Sequence, residues 1–164
     1  MTNNGSALAN GAYPTWHRNQ EIISGSTIVT PTDGSYQADC GGIDSHQDEW
    51  LISASFNCPS DAVLSFDSRV FLGSSAGDSY SVKLSTDDGQ SWSNLWDASQ
   101  QSGGWNHYEV PIVIDLAAYT GRQLRIAFHA NDNELNEGLY YDWFIDNVRV
   151  QSSIRNVQRG IGRL

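Results

Sequence analysis

The sequence predicts an all-β fold, a two-sheet antiparallel jelly-roll β-sandwich forming a single domain with little helix. Three observations lead there. Apolar and polar residues alternate with period two through at least six short stretches. Clusters of Gly, Asp, Asn and Ser, the residues that turns require, separate those stretches. No internal segment sustains a 3.6-residue period, so helices for parallel crossovers are lacking and a sandwich or barrel is left.

The strands follow in chain order. Trp50-Leu51-Ile52 opens the series. Val63 to Leu72 sets Leu64, Phe66, Val70 and Leu72 on one face, and Tyr80 to Leu84 does the same with Tyr80, Val82 and Leu84. Val110, Ile112, Ile114 and Leu116 repeat the pattern. Leu124, Ile126 and Phe128 form the next apolar face, with Arg125 and His129 opposite. Tyr141 to Val150 closes the set, with Phe144, Val148 and Val150 in phase. The nearest approach to a helix is Asp115-Leu116-Ala117-Ala118-Tyr119, stopped by Gly121.

A chain of 164 residues suits one domain. Residues 1–12 read as a flexible leader, 13–151 as the sandwich, and 152–164 as a basic tail or linker. Asn4-Gly5-Ser6 is a formal glycosylation sequon within that leader. No run reaches the roughly 18 apolar residues of a membrane span, and the first residues lack the regions of a signal peptide. The expected setting is extracellular, cell-surface or virion, without membrane insertion. With 9 basic against 19 acidic residues the net charge is −10, which repels phosphate backbones and excludes nucleic acid as the natural partner.

Cys40 and Cys58, flanked by Gly41, Gly42 and Pro59, read as a loop-closing disulfide, the alternative being two inert buried thiols. Two thiols without His at ligand spacing do not make a zinc shell. Ser85-Thr86-Asp87-Asp88-Gly89-Gln90-Ser91-Trp92 fits the Asp-box form Ser-x-Asp-x-Gly-x-x-Trp. Its chemistry is that of a turn: Asp87 accepts from amides across it, Gly89 takes positive φ, and Trp92 packs beneath. In Tyr140-Tyr141-Asp142-Trp143-Phe144-Ile145-Asp146-Asn147-Val148, alternation puts Asp146 on the face of Phe144 and Val148. A carboxylate so placed needs compensation, from calcium or from backbone amides or Arg.

Seven segments in order resemble a known family: Asp48 to Ser53, Leu64 to Asp67, Val82 to Gly89, Trp105 to Val110, Asp115 to Gly121, Leu124 to Phe128, and Ile145 to Val148. Over residues 36–150 the chain is similar to the MAM-like jelly-roll modules of bacterial secreted proteins. These are the cleaved adhesin and choice-of-anchor J domains and the accessory domain of immune inhibitor A-type metallopeptidases. The resemblance implies a non-catalytic extracellular module for adhesion to glycans or proteins, often with structural Ca2+. It implies Asp146 as a calcium ligand, with Asp39, Asp44, Asp48 and Glu49 as the acidic residues available beside it. Ser53-Ala54 stands where the family usually has a Ser/Thr-Pro pair.

Six Trp and seven Tyr exceed the needs of a small core. Trp96, Trp105, Tyr140, Tyr141 and Trp143, in or beside Gly-, Ser- and Asn-rich loops, are therefore the candidate ligand-binding aromatics, with core packing as the competing role. Two other functions are weighed. One is a structural or assembly module docked to neighbouring domains or subunits through its Arg-rich tail. The other is a jelly-roll glycoside hydrolase or lyase using a carboxylate pair from Asp48, Glu49, Glu134, Glu137, Asp142 and Asp146. The chain contains no Gly-x-Ser-x-Gly and no His-Glu-x-x-His, and His17, His46, His107 and His129 form no known constellation, so no catalytic residue is assigned.

Overall fold

The computed structural model describes residues 2–3, 16–24, 27–41, 47–70, 78–98, 111–131 and 142–153. Within them two antiparallel sheets face each other as a jelly-roll sandwich. Sheet 1 has the order β1 (Thr2–Asn3), β6 (Asp48–Ile52), β12 (Gln123–Asn131), β9 (Ser79–Ser85), β10 (Ser93–Asp97), and β7 (Phe56–Asn57) also pairs with β12. Sheet 2 has the order β11 (Ile112–Asp115), β8 (Ala62–Val70), β13 (Trp143–Ser152), β5 (Gln37–Cys40), β2 (His17–Asn19). A small hairpin joins β3 (Ile22–Ser24) to β4 (Thr27–Val29). The helix-like stretch closed by Gly121 is one 3-10 turn, Ala117–Tyr119. No helix among the described residues is long and apolar enough to cross a membrane.

The alternating positions do what period two requires. Leu64, Phe66 and Val70 of β8 and Tyr80, Val82 and Leu84 of β9 are buried, as are Leu124, Ile126 and Phe128 of β12. They meet between the sheets, and aromatic rings set the centre. Trp143 lies 5.2 Å from Trp16, 5.7 Å from Tyr80 and 5.9 Å from Phe128, and Phe66 packs edge-on against Trp96 at 5.5 Å. Such edge-to-face pairs add to the area term, and truncating a buried Trp of this kind costs about 3–5 kcal/mol.

Alternation is interrupted in β13. Asp146 pairs with Asp67, yet three residues later Arg149 pairs with Ser65, so the ladder slips between them. Asn147 sits in the slip at φ 54, as a bulged residue can. Phe144 and Asp146 therefore face away from the core, while Val148 and Val150 pack against it. The expectation that Phe144, Val148 and Val150 share a face is corrected by this bulge.

The disulfide is corrected too, because both thiols are free and buried. Cys40 pairs with Trp143, which pairs with Val70 at one end of β8. Cys58 lies at the other end, its thiol 3.6 Å from the Leu116 carbonyl oxygen, where the Leu116 amide bonds Ala62. Nine strand residues separate those ends, roughly 26 Å. A bridge needs Cα atoms within about 7 Å.

Candidate functional site

Outward positions of sheet 1 form two adjacent rows across the strands. Register aligns Trp50, His129, Ser81 and Asp97 in one row and Ile52, Ala127, Lys83 and Asn94 in the next. Trp50 does not stand up from the sheet. Its ring stacks on His129 of the neighbouring strand, with centroids 3.9 Å apart and planes 26° from parallel. That contact explains why His129, on an outward position, is only 7% exposed. Trp50 itself keeps part of its surface in solvent.

Two further groups fix the ring. The Trp50 Nε1 donates to Asp48 Oδ1 at 2.9 Å, and the same oxygen lies 2.5 Å from His129 Nε2. Burial pushes the Asp48 carboxyl up, but the bonds from His129 and Trp50 outweigh it and hold it below the usual range. Burial lowers His129, with the Lys83 charge acting the same way against the pull of Asp48. A neutral imidazole facing a carboxylate carries its proton on Nε2. The other nitrogen, Nδ1, is buried and accepts no hydrogen bond.

The Asp-box turn supplies the second aromatic of this face. Asp87 accepts from the Ser91 amide at 2.9 Å and the Ser91 and Ser85 hydroxyls at 2.5 and 2.7 Å. These bonds, Ser91 foremost, hold its carboxyl down at about 2. Gly89 turns the chain at φ 94, and a Cβ there would sit 3.6 Å from the Trp92 ring. Trp92 thus lies beneath the turn, as the motif predicts, but it is half-buried and its ring is also 5.5 Å from that of Trp50. Arg125, bonded to Asp88 at 2.7 Å, borders the same face, and the Lys83 ammonium stands 5.1 Å from the Trp50 ring centre. The result is a sheet face with two partly exposed indoles, two cations, and polar side chains around them.

Asp146 occupies a different place. Its Oδ2 accepts from the Thr32 and Asp33 amides at 2.7 and 3.0 Å, and its Oδ1 from the Asn147 amide at 2.7 Å. Asp67 stands directly opposite and accepts from the Thr32 hydroxyl at 2.6 Å and Asn147 Nδ2 at 3.2 Å. The other acidic candidates are dispersed. Asp39 is on the outward side of β5, Asp48 is on the outer face of sheet 1, Glu49 points inward and is buried, and Asp44 is outside the described residues. Among the described residues no three His, Cys, Asp or Glu side chains come together as a metal shell.

Of the proposed ligand-binding aromatics, Trp96 and Trp143 are corrected to core residues, 6% and 0% exposed. The bulge in β10 turns Trp96 inward onto Phe66, and the Trp143 Nε1 is satisfied inside by Ser68 at 2.9 Å. Trp105, Tyr140 and Tyr141 lie outside the described residues. Trp50 and Trp92 escaped the sequence reading because each sits within a strand or turn motif that already explained it. The outward phase of Trp50, opposite the inward Leu51, is the signal that marks it.

No protein-family model matches the sequence, and no curated protein matches it. Solved structures do. The chain is similar to the K1 cleaved adhesin domain of Lys-gingipain from Porphyromonas gingivalis W83, with 16% identity, a TM-score of 0.53 and 88% of each chain covered. It is also similar to the K2 cleaved adhesin domain of Lys-gingipain, with 16% identity, a TM-score of 0.50, and 87% of this chain and 86% of that one covered. TmCBM61 in complex with β-1,4-galactotriose follows at 15% identity and a TM-score of 0.47, over 92% of this chain and 100% of that one. At these identities the two adhesin domains share the fold with this chain.

Proposed function

We propose that this chain is a non-catalytic binding module that holds a glycan on the outer face of sheet 1, with Trp50 and Trp92 as its stacking surface. The observation that carries this reading is the seating of Trp50. An indole laid over His129 and tied to Asp48 is preorganised, so ligand binding loses little side-chain freedom there. Sugar rings present an apolar face to such a surface and hydroxyls to the polar groups around it. Asp48 supports binding over catalysis, because the carboxylate nearest the platform is committed to His129 and the Trp50 indole. An extracellular adhesin-type module of the MAM-like group fits the shared fold of the cleaved adhesin domains.

Calcium belongs to the same proposal, as a brace for the fold. Two carboxylates directly opposite across β8 and β13 favour a cation, and the buried Asn147 Oδ1 beside them accepts no hydrogen bond. Asp146, Asp67 and Asn147 would hold the ion.

Affinity electrophoresis through gels carrying soluble polysaccharides tests the platform. At least one glycan should retard the protein, and Trp50→Ala should weaken that interaction about 10- to 30-fold with the melting curve retained. Retardation by no glycan, or equal retardation of the Trp50→Ala variant, would refute the reading.

A further inference from the structure

The charged groups of this face point to a more specific ligand. Lys83 lies on an outward position of β9, half-buried, with its ammonium 5.1 Å from the Trp50 ring centre. Arg125, the other cation of this face, has a carboxylate partner in Asp88 at 2.7 Å. Among the described residues Lys83 has none within ion-pair reach. Asp48, the carboxylate beside Trp50, is tied to His129 and the Trp50 indole. Asp97 lies in the adjoining row on β10, opposite Ser81, while Asn94 is the direct neighbour of Lys83. The Lys83 ammonium meets the Trp50 ring, a cation–π partner that leaves the charge itself unneutralised, so in a chain of net charge −10 this face offers an anionic group a local positive charge.

We infer that the Trp50 platform selects glycans whose sugars carry a carboxylate, the uronic-acid class, with Lys83 meeting that carboxylate while Trp50 takes the ring. The inference rests on the glycan reading above. The Lys83 ammonium, over the Trp50 ring at 5.1 Å from its centre, is within reach of a carboxylate carried by a sugar bound at this face. Asn94, exposed beside Lys83, offers an amide to the neighbouring hydroxyls. The acidic character of the whole chain does not prevent this. At physiological ionic strength charges beyond about 8 Å are largely screened, so the local cation decides.

The experiment uses the full chain and three soluble polymers: polygalacturonate, the same polymer with its carboxyls reduced, and dextran sulfate. Binding is read by titration calorimetry and affinity electrophoresis at two salt concentrations. Polygalacturonate should bind about three- to tenfold more tightly than its reduced form, and the preference should shrink as salt rises. Lys83→Gln should bring the two affinities together, while Lys83→Arg should keep them apart. Melting curves check that each variant is folded.

Equal binding of the reduced and native polymers, or Trp50-dependent binding confined to neutral glycans, would overturn the uronic-acid inference and leave the platform standing. Dextran sulfate bound as tightly as polygalacturonate would overturn it too, as plain ion exchange. Failure of every glycan to bind would remove the platform reading and this inference with it.

Discussion

Asp39 offers the sharpest physical test of the fold. It is 1% exposed on the outward side of β5, between His17 of β2 and Phe144 of β13 in the register. Its Oδ2 accepts from Asn19 at 2.7 Å and lies 3.4 Å from His17 Nε2, while its Oδ1 accepts no hydrogen bond. Burial, and then the charge of Asp142, push its carboxyl up to about 8 against the pull of the Asn19 bond. The unfolded chain ionises the same group near 3.8. An acid raised in this way contributes fully below its unfolded value, and the contribution is lost as pH climbs from about 4 toward 8, at up to about 1.4 kcal/mol per pH unit. Some three units of that interval lie below pH 7, which sets a ceiling of about 4 kcal/mol.

Asp39→Asn keeps the shape and an acceptor for Asn19 while removing the titration. The variant should gain about 1–3 kcal/mol over the parent at pH 7 and gain nothing at pH 4. Urea unfolding of both proteins between pH 4 and 9, in chelator, measures the difference. A stability gap that stays constant across this range, or a parent that gains on the variant as pH rises, would refute the reasoning.

Three other outcomes follow from the structure. Saturating calcium should raise the melting midpoint by several degrees relative to chelator, and Asp146→Ala should abolish the response; if Asp39→Asn abolishes it instead, the ion sits at β5. Reductant should leave the midpoint unchanged, and thiol titration should count two reactive groups only after unfolding, because Cys40 and Cys58 are free and buried. Gly89→Ala should cost about 1 kcal/mol through its φ of 94 and weaken glycan binding, since the turn it distorts seats Trp92.

Strands that bury one face against the other sheet were legible residue by residue. In β9 the inward positions are apolar and the outward ones polar, and β8 and β12 depart from this only at inward Ser68 and outward Val63 and Ala127, so alternation carries the register. β5 gave no such signal, for a physical reason. Gln37 and Asp39 point outward yet are buried, and the Gln37 amide reaches the carbonyl oxygen of Val29, itself fully buried. A second layer covers that face, so polar residues stand where solvent was expected and the pattern blurs. The bulge at Asn147 is equally silent, because a phase slip of one residue exchanges faces without changing composition.

Aromatic residues explain why the site was harder to read than the fold. Trp96 and Trp143 stand at strand ends next to polar loops, the same context that marks a recognition surface, and both turn inward. What separates them from Trp50 is strand phase. Trp143 shares its side of β13 with Ile145, facing Phe128 across the sandwich, whereas Trp50 shares its side of β6 with Asp48. An indole in that outward phase has no opposing sheet to bury it and must cover a neighbour on its own sheet. Here the neighbour is His129, whose buried imidazole then fixes the ring through Asp48. The same two-residue period that builds the core therefore makes the platform, and its polar support is the part that composition alone does not reveal.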